Sequence, residues 1–565
     1  MAKNPKVLIG GKGKPVTLKK YIAQGGEGSV FEHNGMACKI YHDPKDMIPE
    51  QKILELKQIK MPNVLAPSDV VYNPKTKKPV GFTMPFIQNT EYLVRLFSRK
   101  FKKDHNITPE MVVNLVQNMQ DTLDALHKQK IIVGDYNEMN FLTDGKYTQT
   151  YNIDVDSYQT PTFPCNVIMD SVRDRTMTGD TFKESTDWFS WAVVTFQLYT
   201  GIHPFKGRHP DYNQSDLDGR MENCISVFNK KVKMPKACRD FSVIPKSQLE
   251  WYKKVFNKNE RSVPPTTAGV AFFGSYVPIV VANASGLIID LVHNYQNHII
   301  DVYYFNGDRY VVTRTAIYKK DKEIFKFIQQ PKNILLGNLL GVGPTIAVKS
   351  GWLVKFFDLN RKEIGHVATD DFMACNGSIY TMRNGDLIEN YFDRIDEHCS
   401  TLHLTKAVAT VVDSSQMFEG VVFQDVFGKA KLTIPYEHYK CANIDVPELD
   451  GYRIIDAKRI KRFCVVIGEK KGKFDRIILY FNEAFTSYES RGDADINYRS
   501  VNLMVKQNGM AVTIKDDDTM EMFYDIKQGS KEIKDSPIES GMALHDGITQ
   551  VLFVNDSKLQ SAKSK

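Results

Sequence analysis

The sequence predicts a multidomain protein: an α+β half over residues 1–268, an all-β half over 275–557, and a polar tail over 558–565 that frays. Two observations predict this. Residues 111–126, from Met111 to Leu126, place apolar side chains three and four apart, the period of an amphipathic helix. After residue 265 that period gives way to short β-rich runs separated by turn signals such as Asn306-Gly307, Asn376-Gly377, Asn384-Gly385 and Asn508-Gly509. The segments around Asn376-Gly377 and Asn508-Gly509 each read as strand, tight turn, strand, and units of about 40–50 residues fit a β-propeller. Stacked sandwiches are the alternative, because no Trp-Asp blade signature is present. Between the halves, Val263-Pro264-Pro265-Thr266 supplies the breakers of a linker.

Composition narrows the function classes. With 565 residues, 42% hydrophobic and 25% charged, the chain is of ordinary globular type. Its net charge of +7 is not gathered into a run of five or more basic residues, so no nucleic-acid footprint is expected. The eight cysteines, Cys38, Cys165, Cys224, Cys238, Cys375, Cys399, Cys441 and Cys464, show no Cys-x-x-Cys pair and read as free thiols in a reducing compartment. No apolar run reaches membrane-spanning length and the first residues lack a signal-peptide core, so a cytoplasmic protein without a membrane partner is expected.

Three segments carry chemistry. Residues 21–32 place Gly25, Gly26 and Gly28 between two strand-like runs, where backbone amides can approach phosphate oxygens; a plain β-turn is the alternative. Met36-Ala37-Cys38-Lys39-Ile40 sets a lysine inside an apolar strand, where its charge is costly without an anionic partner or an escape to water. Ile131-Ile132-Val133-Gly134-Asp135 leads to Asn140, and Tyr151-Asn152-Ile153 then ends in Asp154. A carboxylate, an amide five residues on and a second strand-borne carboxylate are the parts that place a catalytic base beside two oxygen ligands for Mg²⁺.

In that order these segments resemble the protein kinase superfamily over about residues 15–268, which implies a bilobal α+β fold with an N-lobe at about 15–88 and a C-lobe at about 89–268. The resemblance implies ATP and Mg²⁺ as cofactors. Ala23, Gly25, Gly28 and Val30 take the positions of the Gly-rich loop, with Gly26 between them, and Lys39 that of the phosphate-binding lysine. Glu50, or alternatively Glu55, matches its helix-borne partner, and Met84 and Phe86 fall in the adenine hinge. Asp135 matches the catalytic aspartate, Asn140 and Asp154 the metal ligands, Asp187 the aspartate bracing the catalytic loop, and Arg261 the arginine near the end of the domain. His127 is read as a structural helix-end residue. The Val-Gly-Asp-x-Asn-x-x-Asn-Phe-Leu pattern is similar to a divergent, mostly bacterial and phage, set of such domains, so for a viral source the compartment is the host cytoplasm.

The chain also departs from the family. Val133-Gly134 replaces His-Arg, which removes the arginine that reads a phosphorylated activation loop. Asn137 replaces a lysine, Asp156 the glycine of Asp-Phe-Gly, and residues 163–174 contain no Ala-Pro-Glu. The resemblance implies a kinase acting on Ser or Thr of a protein recruited through the β-domain. The alternatives are a pseudokinase scaffold that binds nucleotide without catalysis and a small-molecule phosphotransferase.

Overall fold

The computed structural model describes residues 5–564 apart from 267–286 and the short stretches 12, 25–26, 166, 176, 178, 180, 214–215, 328–332, 340–342, 395–399, 411–413, 527–528, 535 and 548–549. Gly25, Gly26, Cys399 and the start of the expected β-domain at 275 therefore lie outside the described residues. At the N-terminus, β1 (Lys6–Ile9), β2 (Val16–Thr17), β3 (Lys20–Gln24), β4 (Gly28–His33), β5 (Met36–Tyr41), β6 (Val70–Tyr72) and β7 (Pro79–Pro85) form one sheet in the order β2-β1-β6-β7-β5-β4-β3. A single helix, α1 (Glu50–Leu56), lies between β5 and β6. Lys39 pairs with Val30 of β4 and Phe82 of β7, so this lysine sits in a central strand.

A mainly helical body follows. It carries a three-stranded sheet of β8 (Thr90–Tyr92), β9 (Phe141–Asp144) and β10 (Thr150–Asn152). Its helices are α2 (Arg99–Asp104), α3 (Pro109–Lys128), α4 (Glu184–Thr200), α5 (Leu217–Glu222) and α6 (Lys246–Lys258). The amphipathic segment read from the sequence is α3; Thr108 caps it by accepting the Met111 amide at 3.3 Å, and Pro109 opens its first turn. Helix α4 is buried all round, from Thr186 to Thr200; its apolar residues face every side, and buried polar side chains such as Ser190 and Thr195 hydrogen-bond backbone carbonyls.

From residue 287 onward every described element but one short turn is a strand. Seven four-stranded antiparallel sheets follow in chain order, six of them over residues 299–326, 333–368, 371–409, 415–445, 453–496 and 503–533. The seventh combines Leu544–Asp546, Val551–Asn555 and Lys558–Ser564 with the much earlier strand Leu287–Asn294. Successive sheets share cores: Ile317 of the first meets Ile346 of the second, Phe356 of the second meets Phe392 of the third, and Leu387 of the third meets Val422 of the fourth. The series continues through Ile434 with Leu479, Val465 with Leu503, and Val512 with Phe553, and Leu552 of the seventh packs with Val311 of the first. The sheets therefore close into a ring. The expected fraying tail is corrected here: residues 558–564 form a strand hydrogen-bonded on both edges, with Leu559 fully buried.

The turns read from the sequence stand where expected. In the third sheet Asn376-Gly377 and Asn384-Gly385 have positive φ at both residues, the backbone a two-residue hairpin needs. The halves are not separate bodies on a string, because one apolar core contains Trp191 and Tyr252 of the helical body together with Ile467, Ile478 and Leu503 of the fifth and sixth sheets. Ion pairs border it: Lys206 donates to Asp495 Oδ1 at 2.8 Å, Arg99 lies 2.9 Å from Glu539, and Arg208 pairs with Asp517.

Candidate active site

The strand that carries Lys39 buries its side chain, leaving it 8% exposed, and three acids surround the ammonium. Asp156 Oδ2 accepts from Lys39 Nζ at 2.6 Å, Glu27 Oε2 lies at 3.6 Å and Asp154 Oδ1 at 3.7 Å. Burial alone lowers the basicity of an ammonium, but here Asp156 and Asp154 more than offset it and hold Lys39 above the ordinary lysine value. Burial likewise opposes the charge on Asp156, while Lys39 and the Tyr41 hydroxyl, which donates to Asp156 at 2.5 Å, keep its pKa below the usual value. Glu50, expected as the partner of Lys39, is not there. It sits exposed in the first turn of α1 and accepts from the Tyr72 hydroxyl at 2.6 Å. The alternative, Glu55, is held by Thr160 and Thr162. Asp156 takes the place sequence reasoning gave to Glu50; the signal was the second acid of Asp154-Val155-Asp156.

Across the cleft, the loop after Val133 is fixed from behind. Asp187, fully buried in α4, accepts the Val133 amide on Oδ2 and the Gly134 amide on Oδ1, each at 2.8 Å, and the His127 ring lies 2.9 Å from Oδ2. Gly134 has φ +73°, and a Cβ there would fall 2.4 Å from Cys165 Sγ, so a large residue is excluded and Val133-Gly134 has a physical cause. Asn140 Nδ2 donates to the Asp135 carbonyl at 3.0 Å, and Asn137 turns inward to accept the Met139 amide at 2.8 Å. Asp135 Oδ1 accepts the Met169 amide at 2.9 Å, and burial raises the Asp135 carboxyl above its usual pKa. Asp154 adopts a left-handed conformation, φ 54° and ψ 37°, with its carboxylate 43% exposed.

The later part of the segment 163–174, from Met169 to Asp174, is held at two points. Arg261 grips Asp174 with two hydrogen bonds, Nε to Oδ2 at 2.6 Å and Nη2 to Oδ1 at 2.7 Å, and stacks its guanidinium 4.5 Å from the Phe189 ring. Asp174 is a buried acid that the sequence reading of this segment did not single out. Met169 packs against Gly472 in a turn of the fifth sheet so closely that a Cβ on that glycine would meet its Cγ at 2.0 Å.

These elements enclose a cavity of about 350 Å³. Ala23, Gly28, Val30 and Lys39 line it from the N-terminal sheet, Met84 and Phe86 from the end of β7 and the residues after it. Asp135, Asn140 and Asp154 complete the opposite wall. Glu50 and Arg261 lie elsewhere, and Asp187 acts from behind the loop. The sequence-derived wall thus converges on one site, but the fourth and fifth sheets close it with residues no motif indicated, among them Gln416, Asp425 and Arg453. No protein-family model matches this chain, and no curated protein matches it either. Among the described residues no three His, Cys, Asp or Glu side chains are grouped as metal ligands. Asn140 and Asp154 offer hard oxygen donors to the cavity, a set suited to a Mg²⁺ that draws its remaining ligands from phosphate and water.

Proposed function

We propose that the chain is an ATP- and Mg²⁺-dependent kinase that phosphorylates Ser or Thr hydroxyls of proteins, built from a bilobal kinase-like fold and a seven-bladed β-propeller. The observation that carries this reading is the meeting of Lys39, Asp135, Asn140 and Asp154 in one cavity, with Asp187 holding the loop that bears two of them. Lys39 binds the phosphates of the nucleotide. Met84 and Phe86 line the end of the cavity that receives the base. Asp135 accepts or orients the proton of the acceptor hydroxyl, and its burial favours proton uptake. Asn140 and Asp154 would hold a Mg²⁺, which would supply neutralisation of phosphate charge. Phosphoryl transfer asks for positioning and charge compensation more than covalent chemistry, which this set of side chains provides.

A second reading, a nucleotide-binding scaffold without catalysis, is favoured by the Met169 amide that occupies one oxygen of Asp135. Incubation with Mg²⁺ and γ-labelled ATP, with and without a mixed protein extract, separates the two. Label on Ser or Thr that is lost in Asp135→Ala and Asp154→Ala supports the kinase. Nucleotide binding without transfer supports the scaffold.

A further inference from the structure

Arg453 opens the first strand of the fifth sheet, more than four hundred residues from Lys39, yet both side chains line the same cavity. Its guanidinium carbon lies 5.8 Å from the centre of the Tyr92 ring, at the end of β8. Its Nη1 is shielded from solvent without an acceptor, and the side chain makes no ion pair within 4.0 Å among the described residues. A buried, unpaired guanidinium donor is unfavourable, and an arginine in a cavity is best satisfied by a planar or tetrahedral oxyanion that takes two of its N–H groups. A guanidinium is a cation at any working pH, and Arg453 lines the same cavity as Lys39 and Asp154. Among the described residues no other basic side chain lines this cavity besides Lys39.

We infer that Arg453 is a phosphate-binding residue supplied by the C-terminal ring, which contacts a phosphate of the nucleotide opposite Lys39 and so makes the ring part of the active site. This rests on the nucleotide-binding reading above. An arginine reaching in from a second body is a known means of compensating phosphoryl charge, and its fork binds phosphate with a geometry that lysine cannot reproduce.

The test uses the full chain. Mg-ATP, Mg-ADP and adenosine are titrated against wild type, Arg453→Met and Arg453→Lys, with thermal unfolding of each to establish folding; Arg453→Gln replaces the methionine variant if that fails to fold. Loss of a charge-assisted contact predicts about 10- to 100-fold weaker ATP binding in Arg453→Met. Adenosine binding should stay within about threefold and Arg453→Lys should fall between. Unchanged ATP affinity in a folded Arg453→Met overturns the inference, as does an equal loss for ATP and adenosine, which would place Arg453 at the nucleoside. If wild type binds none of the three, the nucleotide reading itself fails and takes the inference with it.

Discussion

Lys39 donates to Asp156 at 2.6 Å, and Glu50, on the only helix between β5 and β6, bonds Tyr72 instead. The second acid of the Asp-Val-Asp turn has become the partner of the buried ammonium. Asp156→Asn removes that charge while the amide keeps a hydrogen-bonding oxygen, and Asp154 and Glu27 remain nearby. The expected cost is about 1–3 kcal/mol in urea unfolding, with weakened nucleotide binding. Glu50→Gln, at an exposed site, should change stability by less than about 0.5 kcal/mol and leave binding alone. The reverse ranking of the two variants would sink the assignment.

Gly134 is fixed by two independent constraints, its positive φ and the approach of Cys165. Gly134→Ala should therefore cost about 2–4 kcal/mol, the sum of backbone strain and overpacking, and displace the Asp135 loop. Adding Cys165→Ala relieves the sulfur contact but not the φ, so the double variant should recover part of the loss. Full additivity in a double-mutant cycle would show that the two positions do not touch.

The ring closes through residues 558–564, which pair with Leu287–Asn294 on one edge and Val551–Asn555 on the other. A chain ending at Ser557 loses these ladders and the buried Leu559, whose burial alone is worth about 2 kcal/mol. It should unfold at a markedly lower temperature and aggregate through the exposed edges of both neighbouring strands. A truncated chain with the wild-type midpoint would mean that the ring does not depend on this closure.

What could be read from the sequence follows from distance along the chain. Asp135, Asn140 and Asp154 lie on one loop and the strand pair after it, so their order and spacing already place them on one wall. Lys39 stood out because a lysine in an apolar strand needs an explanation. The Glu50 pairing failed, and other pairings went unread, because they are set by how separate elements dock. Arg261 meets Asp174 across 87 residues, and Glu50, in the exposed first turn of α1, bonds Tyr72 rather than Lys39. Arg453 reaches the cleft only because the ring and the helical body share a core, which no local pattern encodes. The last strand was missed because Lys558, Gln560, Ser561 and Lys563 read as a polar tail, and Leu559 and Ala562, three residues apart, pack into the cores on opposite faces of the strand rather than marking one apolar face.

His298, just before the first sheet, bridges to the helical body through Asp104 of α2, 3.0 Å from its Nε2, while its Nδ1 lies 3.1 Å from Asp556, in the turn between the last two strands of the seventh sheet. Burial disfavours the imidazolium, but the two carboxylates outweigh it and raise its pKa above 6.5, although Arg314 opposes them. Asp104 is correspondingly lowered to about 2 despite its own burial, helped by Lys100 as well as His298. The histidine's contribution is complete below the unfolded pKa of about 6.5 and disappears as pH rises through the higher folded value. That of Asp104 is present above 3.8 and lost as pH falls through about 2. The bridge is therefore strongest between about pH 4 and 6.5. His298→Gln should lower stability by about 1–3 kcal/mol at pH 6 and by much less at pH 8.5, in unfolding curves at constant ionic strength. An equal loss at both values would mean that His298 bridges the two bodies as a neutral ring.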